Sequence, residues 1–141
     1  MPVLLCDTDF LIKVTNDPIP EFKSFLESTG FELATLPAVV RELKGLLRSP
    51  KKSTGRRAKL ALQSVGSLIR VEGEDQSPST EPDVQLIYFA EKSKDSFVIA
   101  TLDGNLLTKL EKKRVPYLTL RKDRPFHRQF SRATYLTTKS R

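Results

Sequence analysis

Residues 97–110 read FVIATLDGNLLTKL. Phe97, Val98, Ile99 and Ala100 form an apolar run without alternation, the pattern of a strand covered on both faces. Residues 101–104, TLDG, break that run. From Asn105 onward, Leu106, Leu107 and Leu110 fall on one face of a helix. Asp103 therefore stands at the C-terminal end of a strand, just ahead of a helix. In a parallel α/β sheet this is the edge at which ligands bind. Taken alone, the aspartate is more simply an N-cap whose carboxylate accepts a helix N–H. Its weight changes because the rest of the chain repeats the arrangement.

Upstream, Val3-Leu4-Leu5-Cys6 is a second short apolar run and ends at Asp7-Thr8-Asp9. Phe10, Leu11 and Ile12 then suggest a helical turn against the core. Phe22, Phe25 and Leu26 have helical spacing, and Gly30 is placed to end that helix. Residues 31–36 read as a strand. Pro37 suits the first position of the next helix, over residues 38–48. Residues 49–55, SPKKSTG, read as a polar basic loop. A further helix is expected over 56–68, with Leu60, Ala61, Val65 and Leu68 inward and Arg56, Arg57 and Lys59 outward. A brief strand at 68–71 and an acidic, mobile loop over 72–79 follow. Residues 80–94 read as a helix with Val84, Ile87, Tyr88 and Glu91 along its inner side. After the opening stretch, residues 117–120 suit a last strand. Strands alternating with helices predict a parallel sheet with helices on both faces.

The 141 residues suit one domain with a sizeable core. No apolar run approaches the length of a membrane span. The N-terminal MPVLLCDTDF lacks a basic segment and meets an acid at once, unlike a signal peptide. Cys6 is the one cysteine and lies in an apolar run, which suits a buried small hydrophobe. A cytoplasmic protein is the expectation. The net charge of +7 favours an anionic partner, nucleic acid first.

Four acids recur at comparable places. Asp7 follows the first strand as Asp103 follows the later one, so both should share a sheet edge. Glu42 sits in the helix after the second strand, beside Val39 and Leu46 at about 100° per residue, at the border of the apolar stripe. Asp83 lies in the first turn of its helix, and Thr80-x-x-Asp83 has the form of a capping box. Each has a structural explanation. Four acids at one sheet edge are harder to explain so, because close like charges repel unless a cation intervenes. His127 is the single histidine and no Cys/His cluster exists, which argues against zinc. An all-oxygen donor set suits Mg²⁺ or Mn²⁺, and acids of that kind on a basic protein favour phosphodiester hydrolysis.

The pattern resembles the PIN domain, a family of metal-dependent ribonucleases with a Rossmann-like fold. The matching segments are VLLCDTDFLI, LPAVVRELKGL around Glu42, EPDVQLIYFAEK around Asp83, FVIATLDGNLLTKL around Asp103, and VPYLTLR. The resemblance covers roughly residues 3–121, with the T-x-D element at 101–103 the most specific part. GRRAKLALQ at 55–63 is similar to the subgroup tied to ribosomal-RNA processing, small archaeal proteins among them. The implied fold class is a three-layer α/β/α Rossmann-like domain over 1–121, with a parallel sheet of four to five strands and a basic tail over 122–141. Asp9 replaces the Asn or Ser usual in the family. Pro82 replaces a frequent Asp, and Gly104 a charged residue.

The resemblance implies that Asp7, Glu42, Asp83 and Asp103 are the catalytic acids and hold one or two Mg²⁺ or Mn²⁺ ions. Thr8, Asp9 and Thr101 are candidates to orient or supplement them. For the two threonines, bonding to local backbone is an equal alternative. Lys51, Lys52, Arg56, Arg57, Arg121, Lys122, Arg124 and Arg128 are candidate phosphate contacts for single-stranded or structured RNA, with Phe126 or Tyr135 as stacking platforms. A solvated charged face is the alternative for each cation. The family's habits leave a homodimer open, and equally a toxin-type role with an antitoxin partner. Two other readings of Asp7-Thr8-Asp9 fit less well. A haloacid-dehalogenase-type phosphatase wants Thr or Val where Leu11 stands. A receiver domain needs its phosphorylated Asp on strand three. An RNA-binding module of the same fold without turnover stays open.

Overall fold

The computed structural model describes residues 3–74, 80–92 and 97–120. Its sheet is built first from the two apolar runs. β1 (Val3–Cys6) and β4 (Phe97–Ala100) pair in parallel from Val3 opposite Phe97 to Cys6 opposite Ala100. Leu4, Leu5, Ile99 and Ala100 are fully buried, as expected for strands with helices on both faces. β2 (Glu32–Thr35) lies on the other side of β1, and β3 (Arg70–Val71) lies outside β2. β5 (Tyr117–Leu118) lies outside β4. The five strands are parallel in the order β3-β2-β1-β4-β5. With its helices the sheet makes a three-layer α/β/α domain. The strand order reverses direction between β1 and β4, and such a switch point opens a crevice beyond the carboxyl ends of the strands.

The helices are α1 (Thr8–Asn16), α2 (Pro20–Thr29), α3 (Pro37–Leu46), α4 (Lys52–Ser64), α5 (Pro82–Lys92) and α6 (Gly104–Lys112). Pro20, Pro37 and Pro82 each open a helix, where a missing N–H costs nothing and the fixed φ is already helical. Gly30 ends α2 at φ 75°, a left-handed conformation that a side chain would strain. Phe10, Leu11, Leu43, Leu86, Leu106 and Leu110 bring the helices onto the sheet. Phe22 meets Phe10 edge-on at 5.6 Å between ring centres and stacks with Phe25, which stacks on Phe31.

Several local expectations are corrected. The turn after Asp7 is a nine-residue helix, because Asp7 caps it. α4 begins at Lys52, so half of the SPKKSTG segment is helical rather than loop. Ala58 and Ala61 are its buried residues, and these small side chains let α4 lie close on α1 and α3. Leu60 is exposed at 42% and Leu68 at 77%. The inner face of α5 is Gln85, Leu86, Ile87 and Ala90; Val84 and Tyr88 face out. VQLIYFA is apolar almost all round, so periodicity cannot set its phase. The Gln85 side chain draws inward instead, its amide donating to the Thr80 carbonyl at 3.1 Å. Glu91 is exposed and lies 3.8 Å from Lys113. The tail from Lys122, with Arg121, Arg124, Arg128 and the tail aromatics, lies outside the described residues, as does most of the acidic loop.

Candidate active site

The edge beyond β1 and β4 is organised by one buried threonine. The Thr101 hydroxyl donates to Asp7 Oδ2 and accepts the Asp103 N–H at 3.1 Å. Thr101 is fully buried, so this link between the two strand ends is shielded from water. Asp7 Oδ1 accepts the Phe10 N–H at 3.0 Å and caps α1. Asp103 Oδ1 accepts the Asn105 N–H at 2.9 Å and caps α6. Both aspartates are thus N-caps and also members of one cluster. Each carboxylate oxygen has two lone pairs, so a capping bond leaves acceptor capacity.

Asp7 is nearly buried, and burial pushes its carboxyl up to about 7. The bonds from Thr101 and the Phe10 amide oppose the rise, while the charges of Asp9 and Asp103 add to it. An acid held near neutrality by desolvation and like-charged neighbours is a feature of functional clefts.

Two further acids come from helices. Glu42 stands on the exposed edge of α3, whose Ala38, Val39 and Leu43 are buried, and its Oε1 accepts the Thr8 hydroxyl. Asp83 lies in the first turn of α5, with Oδ2 3.4 Å from Lys109 Nζ on α6. α5 starts at Pro82, which leaves Thr80 one residue too early for the anticipated capping box. The Thr80 carbonyl accepts from Arg41 at 3.3 Å and from Gln85, tying the entry of α5 to α3.

Asp7, Thr8, Asp9, Glu42, Asp83 and Asp103 line one cleft of about 390 Å³, together with Glu81 and Pro82. Glu81 was not anticipated. It sits in a loop position with no periodic signal, and only its place before Pro82 could have drawn notice. As the side chains stand, no three His, Cys, Asp or Glu among the described residues form a single ligating group. Glu42 is engaged by Thr8, and Asp83 by Lys109. The donor set still fits a hard divalent cation in its chemistry, being all carboxylate and crowded with like charge. Cys6, by contrast, is fully buried, and burial raises its thiol well above the usual range.

The candidate phosphate contacts divide. Lys51, Lys52 and Arg56 are exposed at the start of α4. Arg57 is turned onto Asp17 at 3.1 Å, beside Lys13, and holds α4 against the end of α1. These cations lower the Asp17 carboxyl below its usual range. None of the α4 cations lines the cleft.

The strand order and its switch point make a Rossmann-like three-layer α/β/α fold. A solved structure described as that of the PIN domain endonuclease Utp24 superposes with a TM-score of 0.67 and 18% sequence identity, covering 85% of this chain and 86% of that one. At that identity the likeness establishes the fold. No protein-family model and no curated protein matches the sequence. Among the described residues, no helix is long and apolar enough to cross a membrane.

Proposed function

We propose that this chain is a metal-dependent endoribonuclease that hydrolyses phosphodiester bonds of single-stranded RNA. The observation that carries this reading is the cleft at the β1/β4 switch point, with Asp7 and Asp103 from strand ends facing Glu42 and Asp83 from helices. One or two Mg²⁺ or Mn²⁺ ions held by these four acids would activate water and stabilise charge developing on the phosphate oxygens. Thr101 orients Asp7 through its hydroxyl and fixes the Asp103 backbone. Thr8 orients Glu42 in the same way. Asp9 adds a carboxylate at the rim. Lys51, Lys52 and Arg56 attract the RNA backbone as an exposed basic group on α4, a helix packed on α1 and α3. Arg57 serves that surface by anchoring the helix to Asp17. The Utp24 structure, a PIN endonuclease of the same fold, supports nuclease chemistry for this edge. The resemblance of GRRAKLALQ to the ribosomal-RNA-processing subgroup favours structured ribosomal precursors as the natural RNA.

The test is cleavage of an end-labelled single-stranded RNA with Mg²⁺ or Mn²⁺, alongside binding of the same RNA in chelator. Internal cuts that need the metal are expected. RNA that binds in chelator and stays intact at every metal concentration would instead assign the chain to RNA binding without turnover.

A further inference from the structure

A charge from a third helix reaches the acid cluster. Lys109 lies on the exposed side of α6, six residues after Asp103, and its ammonium stands 3.4 Å from Asp83 Oδ2 on α5. Cations in the last turn of a helix complement its dipole, and Lys109 and Lys112 both do so. Lys109 differs in being directed across to the carboxylate of another helix, at a cleft lined by six acids. We propose that Lys109 is the resident counter-ion of the cleft: without metal its ammonium holds Asp83, and a divalent cation must displace it. This rests on the reading of Asp83 as a metal ligand.

Exposure supports an exchangeable partner. The Lys109 side chain is 53% exposed and that of Asp83 26%. The ammonium can therefore leave into water at little cost, while the carboxylate remains at the cleft. A lysine is a hydrated point charge on a flexible stem, with no fixed fork to lock the pair. A carboxylate that must stay close to Asp7, Glu42 and Asp103 while metal is absent needs such a neutralising group, since like charges repel. A hard dication offers more charge to the same oxygens and takes over. The neighbouring Thr8–Glu42 bond is the neutral counterpart, a hydroxyl holding a carboxylate that a cation would otherwise engage.

The competition has a measurable sign. Removing Lys109 should tighten metal binding by about two- to five-fold, the range set by exposed ion pairs. Mn²⁺ is titrated calorimetrically into the wild-type chain, Lys109→Gln, Lys112→Gln, Asp83→Asn and the Asp83→Asn/Lys109→Gln double variant. Lys112 is a charge on the same helix turn and controls for net charge alone. The expected result is tighter Mn²⁺ binding in Lys109→Gln, a smaller gain in Lys112→Gln, and no gain from Lys109→Gln in the Asp83→Asn background. Equal gains from Lys109→Gln and Lys112→Gln would overturn the proposal, as would a gain that survives Asp83→Asn. Unchanged or weaker binding in Lys109→Gln, with wild-type binding still dependent on Asp83, would overturn the counter-ion alone. Absence of saturable Mn²⁺ binding to the wild-type chain would overturn it together with the metal reading of the cleft.

Discussion

Asp7 and Asp103 hang from strand ends, whereas Glu42 and Asp83 project from helices. The strand pair is held by the backbone and by buried Thr101, which bonds Asp7 and the Asp103 amide at once. The helix pair is held by side chains alone, buried Thr8 for Glu42 and exposed Lys109 for Asp83. The difference teaches how a cleft of like charges stays folded. In its fixed half Asp7 is buried and pushed toward neutrality, while Asp103 keeps its carboxylate at the exposed rim. Its adjustable half sets its acids beside partners that can be exchanged. A cation would then meet two preset acids and recruit the other two.

The largest expected effect is at the adjustable half. Asp83→Asn keeps the shape and removes the charge that a hard cation needs. RNA cleavage should fall by at least ~100-fold. Stability without metal should change by less than ~1 kcal/mol, the scale of an exposed ion pair. A variant that melts markedly lower yet cleaves at the wild-type rate would make Asp83 a structural residue.

The fixed half should dominate the pH response. The Asp7 carboxyl titrates at about 7 in the folded chain against 3.8 as its reference. Between these values the folded state binds more protons than the unfolded one, so metal-free stability should fall as pH rises from about 4 to about 7. A loss on the order of 2 kcal/mol between pH 5 and 7 is expected, read from urea unfolding in chelator. Asp7→Asn should flatten that slope, and saturating metal should abolish it as well, because cation binding displaces the proton. A profile that does not change in Asp7→Asn would remove Asp7 as its source.

Much of this contrast is legible in the sequence, and for a physical reason. VLLC and FVIA are unbroken apolar runs with an Asp one and three residues further on, so the strands and the acids beyond their ends are written in one short stretch each. Glu42 is legible from its place beside the apolar stripe of α3. The partners of these acids are not, because they are long-range. Thr101 is 94 residues from Asp7, Lys109 is 26 from Asp83, and Arg57 is 40 from Asp17. No local pattern brings such pairs together. The phase of α5 is hidden because VQLIYFA offers no polar face. The early start of α4 is hidden because KKSTG reads as loop, although its cations and small residues are compatible with a helix once Ala58 and Ala61 find α1 and α3.

Smaller effects should separate the two threonines. Thr101→Val removes the buried link and should lower cleavage about 10-fold or more, in line with loss of a group that orients a ligand. Thr8→Val acts on an exposed, adjustable carboxylate and should cost only a few-fold. Equal losses would mean that the halves are not built differently after all.

The most direct measurement is the shift in melting temperature on adding Mn²⁺ to the wild-type chain and to Asp7→Asn/Asp103→Asn. If the four acids form one cation site, metal stabilises the wild-type fold by mass action, and the double variant loses most of that rise. Equal metal-induced rises in both proteins would contradict a shared site at the β1/β4 edge.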